Sequence, residues 1–296
     1  MDDTHVSELE WPSYGEMYLP KLVPFLKDAE HALKYIRDMK LGENAIILAT
    51  FPRSGTHWVW EIMGMLLRGK AEYSTVTREQ VFVEGLSDMS QMQGYNGVMS
   101  THVPFQWLSK QHVDKGRKIV YVVRNPKDVA VSLFKFLSSC GYLLPGPSFE
   151  NFFDELYIGR KAMYGGWFEY NKKFIEEATV RKDQILMIQY EKLQRNTEAE
   201  IRRLADFLGV KDENGLVKEV TEKCTFQNLQ QADKSVREDK KMAELMNELQ
   251  LNENPTVYRK GKIGDWKNHF TVAMNETLDK VYAEKMNGVD YQVEFE

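Results

Sequence analysis

The sequence predicts an α/β fold, in which a single domain over residues 1–296 has a central parallel sheet flanked by helices. The length favours one large domain over two small ones, because 296 residues lie near the upper limit for one continuous hydrophobic core. The apolar run from Lys118 to Val123 is typical of a strand that is buried on both faces, as strands of parallel sheets are. Residues 45–67 also predict a strand, a tight loop and a helix in succession, which is a unit of such folds.

The loop in that unit has the groups that bind an anion. Ala45 to Phe51 is apolar and favours a strand, and after the loop apolar residues recur at the spacing of one helix face, namely Val59, Ile62, Met63, Leu66 and Leu67. Gly55 permits close approach of the backbone, while Ser54 and Thr56 offer hydroxyl groups. Arg53 adds a positive charge, and the helix start adds unpaired N–H groups. This strand-loop-helix therefore predicts a phosphate site similar in architecture to that of nucleotide kinases.

Two observations weaken the prediction of a phosphate site when the loop is considered by itself. It does not match the G-x-x-x-x-G-K-[ST] loop of nucleoside-triphosphate enzymes. A Ser-Gly-Thr turn between a strand and a helix is also more often a plain connection than a ligand site.

The remaining elements follow in chain order. A helix is predicted from Lys27 to Met39, behind an N-terminal arm of aromatic and proline residues that packs on the core. Gly97 to Pro104 predicts a short strand with His102 at its carboxyl end. Arg124 follows the strand at Lys118 to Val123, and Ser132 lies two turns into the next helix, so both could reach one anion. Alternatively, Arg124 forms a salt bridge with Asp128 and Ser132 is an ordinary helix residue.

The second half continues the same alternation. Helices are predicted between Phe149 and Ala178, and Gln184 to Tyr190 predicts another buried strand. Thr197 to Glu200 predicts a capping box at the start of a helix that Gly209 ends. Asp233 to Asn254 is highly charged with a thin apolar stripe, which predicts a solvated helix and, as a hypothesis, a mobile lid over the site.

Composition narrows the function classes. The net charge of -5 argues against a nucleic-acid partner, but a few converging Arg and Lys side chains can still bind an anion locally. No stretch is apolar enough to cross a membrane, and residues 1–5 show no signal-peptide pattern, so a cytoplasmic location is expected. The two cysteines and six histidines show no spacing typical of a metal site, so no metal is expected.

Five motifs resemble those of the cytosolic sulfotransferases. Residues 49–58 are similar to the family's donor-binding loop Tyr-Pro-Lys-Ser-Gly-Thr-Thr-Trp, and residues 101–104 match the second half of Lys-Thr-His-x-Pro. Residues 124–132 match R-N-x-K-D-x-x-V-S, and residues 259–266 match R-K-G-x-x-G-D-W. The fifth motif is a short dimerisation motif, which the chain matches at Lys267, Thr271, Val272 and Glu276.

The resemblance implies transfer of a sulfuryl group from 3′-phosphoadenosine 5′-phosphosulfate (PAPS), which leaves adenosine 3′,5′-bisphosphate (PAP), to a hydroxyl or amine of a small, apolar or phenolic acceptor. His102 would be the general base, and Arg53 would stabilise the leaving phosphate oxygen. The residues implied to bind the donor are Arg53, Ser54, Gly55, Thr56, His57, Trp58, Arg124, Ser132, Tyr190, Cys224, Phe226, Arg259, Lys260 and Gly261. His102, Phe82, Phe136 and Tyr142 would border the acceptor, and Tyr18 is a further candidate from the N-terminal arm. A weak homodimer through the fifth motif is also implied.

Four residues depart from the family pattern. Lys is usual at Arg53 and at Ser100, and Thr is usual at His57 and at Cys224. These changes predict reduced but real transfer, because Arg stays charged but does not copy the geometry of Lys. Two other readings stay open: a donor-binding protein with weak or no catalysis, and a phosphoryl-transfer kinase on a related fold.

Overall fold

A computed structural model of the chain describes residues 11–143, 148–237 and 257–296. Its described strands form two sheets, an antiparallel pair near the N-terminus and a four-stranded parallel sheet. In chain order the strands are β1 (Ser13–Tyr14), β2 (Met17–Tyr18), β3 (Ile46–Thr50), β4 (Val98–Thr101), β5 (Ile119–Val123) and β6 (Ile185–Gln189).

Helices precede, connect and follow the strands of the parallel sheet. The α-helices are α1 (Val23–Asp38), α2 (Thr56–Arg68), α3 (Lys110–Asp114), α4 (Pro126–Ser139), α5 (Phe149–Phe152), α6 (Gly166–Val180), α7 (Tyr190–Arg195), α8 (Thr197–Leu208), α9 (Leu216–Lys223), α10 (Phe226–Arg237) and α11 (Val272–Lys285). Shorter 3₁₀ turns span Arg78–Val81, Val83–Gly85, Met89–Met92, Phe105–Trp107, Glu213–Gly215 and Asp265–Asn268, and Phe153–Tyr157 forms a π-helical turn.

The parallel sheet has the strand order β4-β3-β5-β6. Its register pairs Ile47 with Met99, Leu48 with Val120, and Val122 with Ile188. Every residue of β3, β4 and β5 is buried, and α2, α6 and α8 pack against the strands. The predicted α/β fold with a central parallel sheet is confirmed, and the apolar runs in the sequence reflect burial on both faces.

The strand order determines where a ligand can bind. From β3 the chain moves first to β4 on one side and then to β5 on the other, so the connections diverge between β3 and β5. Open α/β sheets bind ligands outside the carboxyl ends of the strands at such a point. The segments that follow β3 and β5 are those that begin with Phe51 and Arg124.

Each strand of the parallel sheet lies inside its predicted segment, but two local predictions need correction. The helix α1 has a kink at Asp28 (φ -163°, ψ 100°), whose side chain accepts from His31 N, so the predicted start at Lys27 lies beside this kink and a further helical turn with Pro24 precedes it. The predicted capping box at Thr197 is wrong: α7 ends at Arg195, so Asn196 takes the cap position, without a side-chain hydrogen bond, and Thr197 is already helical. The end of α8 at Gly209, in the left-handed conformation, is confirmed.

Two further predictions concern a membrane span and a lid. No helix among the described residues is long and apolar enough to cross a membrane. The predicted charged helix Asp233 to Asn254 begins within α10, but residues 238–256 lie outside the described residues, and the lid hypothesis lies there with them.

Candidate active site

A cavity of about 430 Å³ opens at the carboxyl edge of the parallel sheet. The residues predicted for the donor line it with one exception, and so do His102 and the aromatic residues Phe82, Phe136 and Tyr142 predicted for the acceptor. Those that line it are Arg53, Gly55, Thr56, His57, Trp58, Phe82, His102, Arg124, Ser132, Phe136, Tyr142, Tyr190, Cys224, Phe226, Arg259, Lys260 and Gly261. The exception is Ser54, which is fully buried behind the lining and donates its backbone N–H to Phe51 O at 3.3 Å.

The loop between β3 and α2 holds an unusual backbone shape. Both Arg53 (φ 68°) and Gly55 (φ 103°) have left-handed backbones, and Gly55 caps α2. A Cβ atom at Gly55 would lie 2.8 Å from the Tyr190 ring, so only glycine permits this approach of the loop to the ring. The side chain of Arg53 donates from Nε to Ser132 Oγ (3.2 Å) and from Nη2 to Val257 O (3.1 Å), and its guanidinium lies 4.6 Å from the centre of the Phe136 ring.

A second basic group comes from the end of β5. The Arg124 guanidinium donates to Arg53 O and to Lys262 O, both at 3.3 Å, and lies 4.4 Å from the centre of the Tyr190 ring. Its Nη2 is also 3.9 Å from Asp128 Oδ2, so Arg124 forms the salt bridge with Asp128 and lines the cavity at the same time. The side chain is therefore fixed between two loops with its charge at the cavity wall.

The third basic group lies in the segment before α11. Arg259 and Lys260 both bond to Asp265, at 2.8 and 2.6 Å. Burial alone would raise the pKa of Asp265, but the hydrogen bonds from Lys260 and Arg259 outweigh it and hold that pKa well below its usual range. The neighbouring Gly261 (φ 60°) packs so closely on Phe226 that a Cβ atom would lie 2.2 Å from the ring.

Several buried polar atoms of this part of the cavity have no hydrogen-bond partner within the described residues. They are Ser54 Oγ, Trp58 Nε1, Arg124 Nε and Arg259 Nε. Buried polar groups are normally satisfied, so such a cluster indicates missing solvent or a missing polar ligand. The aromatic rings of Trp58 and Tyr190 meet edge to face beside it, with centroids 5.6 Å apart.

His102 follows β4 directly and is held at three points. Its Nδ1 is 2.8 Å from Thr50 O, its Nε2 is 2.9 Å from Arg78 Nη2, and its ring centroid is 5.0 Å from that of Phe82. A carbonyl oxygen only accepts and a guanidinium only donates, so Nδ1 carries the proton, and Nε2 is the acceptor and receives the hydrogen bond from Arg78. Burial and the charge of Arg78 lower the pKa of His102 well below its ordinary value, so the ring is neutral.

The apolar end of the cavity lies around Phe82, Phe136 and Tyr142. Pro20 and Leu22 from the N-terminal arm border it, together with Leu133, Leu137, Met163 and Tyr164. Tyr18 is not among the lining residues; the arm reaches the cavity through Pro20 and Leu22 instead, because Tyr18 pairs in β2 and forms a bridge with Met163.

Three charged residues of this site could not be found from the sequence: Arg78, Glu79 and Glu84. Glu79 accepts a hydrogen bond from His57 Nε2 at 2.7 Å. Burial would raise the pKa of Glu79, but the charge and the hydrogen bond of His57 outweigh burial and lower this pKa to about 2. Glu84 Oε1 accepts from the backbone N–H of His102 and from Thr101 Oγ1, and burial raises the pKa of Glu84 to about 7. They all lie in the segment after Arg68 that has no helix or strand periodicity, so no sequence signal marked them.

Two predicted residues have unexpected surroundings. The Cys224 thiol is fully buried and lies 3.7 Å from the Met65 sulfur, and burial raises its pKa to about 12. The Lys267 ammonium pairs with Glu296 of its own chain at 2.8 Å.

Among the described residues no group of three or more His, Cys, Asp or Glu side chains is arranged to hold a metal ion.

Comparison with known proteins gives consistent results. The sulfotransferase domain family model matches residues 43–290. The chain is 30% identical to bovine sulfotransferase 1E1 over 94% of its own length and 95% of that protein, and 32% identical to human sulfotransferase 1E1 over 81% and 83% of the two chains.

Solved structures show the same fold at lower identity. Mouse sulfotransferase SULT7A1 complexed with PAP superimposes with a TM-score of 0.74 at 23% identity, over 94% of each chain. A retinol dehydratase in complex with retinol and PAP superimposes with a TM-score of 0.72 at 20% identity, over 92% of this chain and 88% of that one.

Proposed function

The chain belongs to the sulfotransferase family and is an enzyme of that class, and from this premise we propose that it transfers a sulfuryl group from PAPS to a hydroxyl or amine of a small, apolar or phenolic acceptor. The observation that carries the proposal is one cavity in which a neutral histidine, protonated at Nδ1, shares the walls with three separate basic groups. We take residues 1–296 as one sulfotransferase domain.

The residues at the donor end of the cavity fit PAPS. Gly55 and Gly261 let the two loops approach the Tyr190 and Phe226 rings closely, and Ser54 Oγ, Trp58 Nε1 and Arg124 Nε are buried polar atoms without a partner among the described residues. When bound, PAPS supplies an activated sulfuryl group and a bisphosphate leaving group. Two structural relatives were solved with PAP, which supports the assignment.

The roles of the donor residues follow from charge and shape. The backbone of residues 54–57 at the start of α2 would bind the 5′-phosphate, since helix N-termini attract anions. Arg124, Ser132 and the Arg259–Gly261 segment would bind the 3′-phosphate. Trp58, Tyr190 and Phe226, with Cys224 beside them, would enclose the adenine, since aromatic faces stack on purines.

The chemical step needs a base, an electrostatic stabiliser and in-line positioning. His102 would take the acceptor proton at Nε2, because Thr50 O already holds the proton at Nδ1. Arg53 would stabilise charge on the leaving phosphate oxygen. Its contacts with Ser132 and Val257 O show that this side chain reaches the wall shared by the donor residues.

The acceptor class follows from the other end of the cavity. Phe82, Phe136 and Tyr142 make that end aromatic and apolar, which suits a phenol, a steroid or a small alcohol. One structure of a retinol dehydratase contains retinol and another contains androsterone, and these ligands support a small apolar acceptor here.

We further propose a cytoplasmic location and a weak homodimer. Val272 is 76% exposed at the start of α11, and Thr271 caps that helix by accepting from Met274 N. Glu276 lies on the exposed surface one turn further on. An exposed apolar residue between Lys267 and Glu276 suits a small twofold contact in which each charge meets its opposite on the second chain.

The decisive experiment is transfer of labelled sulfate from PAPS to a panel of phenols, steroids, alcohols and amines, by the wild type and by His102→Ala. We expect transfer by the wild type and a loss of about 10²–10⁴-fold in His102→Ala, the usual range for a general base. PAP affinity, measured by calorimetry, is expected to be equal in both proteins. Transfer that survives the substitution would refute the base but not the enzyme class.

The two other readings make different predictions in the same experiment. A donor-binding protein without catalysis would bind PAP and transfer nothing to any member of the panel. A phosphoryl-transfer kinase would bind ADP more tightly than PAP, because ADP carries no 3′-phosphate and such an enzyme needs no site for one.

A further inference from the structure

Arg78 is a buried arginine that the predicted site does not include. It begins the 3₁₀ turn Arg78–Val81, is 6% exposed, and lines the cavity. Its Nε donates to Ser100 Oγ at 2.9 Å, and its guanidinium lies 3.8 Å from the centre of the Phe82 ring. Its Nη2 is 2.9 Å from His102 Nε2, the nitrogen that has to receive the acceptor proton.

Among the described residues Arg78 forms no direct ion pair, although Glu79 and Glu84 favour its charged form from a greater distance. No carboxylate oxygen of residues 11–143, 148–237 or 257–296 lies within 4.0 Å of its nitrogens, whereas Arg124 has Asp128 and Arg259 has Asp265. A buried cation without a direct ion pair is uncommon, and groups in such surroundings are concentrated at functional sites. The anionic group expected in this cavity is the transferring sulfuryl group or the acceptor oxygen that attacks it.

The position of Ser100 explains why a cation is needed here. Lys is usual at this position in the resembled family, and the serine that replaces it accepts a hydrogen bond from Arg78. The guanidinium therefore fills the space beside His102 that a lysine at position 100 would share. The positive charge is kept next to the base, although it comes from a different segment of the chain.

We propose that Arg78 is a further catalytic residue, which donates a hydrogen bond to the acceptor oxygen beside His102 Nε2 and replaces the charge of the lysine that is absent at Ser100. This inference rests on the proposed function. It names a residue outside the motifs that carry the resemblance.

The reaction at this point balances as follows. When the acceptor binds, Arg78 Nη2 shifts its hydrogen bond from His102 Nε2 to a lone pair of the acceptor oxygen, and the acceptor O–H donates its proton to the Nε2 lone pair that this releases. A bond forms between the acceptor oxygen and sulfur, the bridging S–O bond breaks, and its electron pair stays on the 5′-phosphate oxygen. Arg78 stabilises the negative charge that develops on the acceptor oxygen as the proton leaves, which lowers the barrier most for weakly acidic acceptors.

The test uses Arg78→Met, Arg78→Met with Ser100→Lys, and a matched control, Arg117→Met. Arg117 is also partly buried and bonds to Leu41 O and Gly42 O, but it lies outside the cavity. For Arg78→Met we expect kcat to fall about 100-fold, with PAP affinity within about twofold of the wild type. The loss should be larger for alcohols than for acidic phenols, and Ser100→Lys should recover at least about tenfold of it.

A spectroscopic measurement tests the contact between Arg78 and His102 directly. The groups that face His102 are Arg78, Arg53 and His57, with Glu84 at its backbone. Removal of Arg78 should raise the His102 pKa, measured by NMR on labelled imidazole, while Arg117→Met should leave it unchanged. This readout needs no turnover, so it holds even if the wild type transfers nothing to the panel and the proposed function fails.

Four results would overturn the inference. They are an unchanged His102 pKa in Arg78→Met, a kcat within about twofold of the wild type, an equal loss for alcohols and acidic phenols, and no recovery by Ser100→Lys. If Arg78→Met does not fold, Arg78→Lys is the second variant. Its ammonium cannot bond to Ser100 and the acceptor at once, so kcat should fall about tenfold with PAP affinity kept, and an unchanged kcat would refute the role.

Discussion

Substitution of Gly261 tests whether the segment at residues 259–261 and Phe226 together bind the donor. An alanine Cβ at this position would lie 2.2 Å from one Phe226 ring atom and 2.6 Å from another. Contacts this short cannot persist, so either the ring turns away from the cavity or the loop withdraws. Both movements would disturb the face on which we expect the adenine to stack.

The expected magnitude follows from the stacking contact. An aromatic side chain contributes about 1–3 kcal/mol per stacked base, so complete loss of the Phe226 contact would weaken PAP binding about 5–150-fold. Gly261 also has φ 60°, and an L-residue in that conformation costs about 1–2 kcal/mol of folding stability. The stability cost and the binding cost therefore need separate measurements.

Gly264→Ala is the matched control in the same loop. Gly264 has φ 82°, so alanine meets the same backbone strain, but its Cβ would lie 3.7 Å from Phe295 O, which is an ordinary contact. Calorimetry with PAP and thermal unfolding should show that both variants lose stability and that only Gly261→Ala loses affinity. Equal PAP affinities in the two variants would refute the reasoning.

Three further predictions concern a buried carboxyl group, the donor loop and the dimer. Glu84→Gln keeps a hydrogen-bond acceptor at Oε1 and removes the ionisable group, whose pKa burial raises to about 7. In the wild type the stability that the neutral carboxyl group contributes is fully present below about pH 4.5 and is lost as the pH rises through 7. The variant should therefore have a larger free energy of unfolding than the wild type at pH 8 but not at pH 4.5. A gap that does not change with pH would contradict it. Arg53→Lys restores the residue that is usual in the family and should raise kcat several-fold, and an unchanged kcat would show that this position does not limit the chemistry. Val272→Lys places a charge at the proposed twofold contact and should leave a monomer in sedimentation at concentrations where the wild type is dimeric, with kcat unaltered.

The sequence predicted the parallel sheet and the gathering of its site residues for one physical reason. Strands buried on both faces leave continuous apolar runs, and parallel strands end at one edge, so Thr50, His102 and Arg124 had to meet there. The hairpin of β1 and β2 was not predicted, because two-residue strands leave no periodicity. The segment that carries Arg78, Glu79 and Glu84 was also not predicted in detail, since its turns are determined by contacts with distant residues such as His57 and His102.

The pairing of charges explains how an acidic protein can keep an anion site. At the donor end Arg124 and Arg259 each have an internal carboxylate, Asp128 and Asp265, so the charges of these two residues are compensated before a ligand binds. Asp128 also accepts from Gly264 N and Trp266 N at 2.9 and 3.0 Å, which ties the helix after β5 to the basic segment. Near His102 the pattern is different, because Arg78 forms no direct ion pair among the described residues and its guanidinium donates to Ser100 and His102 instead, with Glu79 and Glu84 further away. The basic residues that would hold the donor are therefore paired before it binds, whereas the guanidinium of Arg78 faces the place where the reaction would create negative charge. This arrangement favours the transition state over the bound substrates.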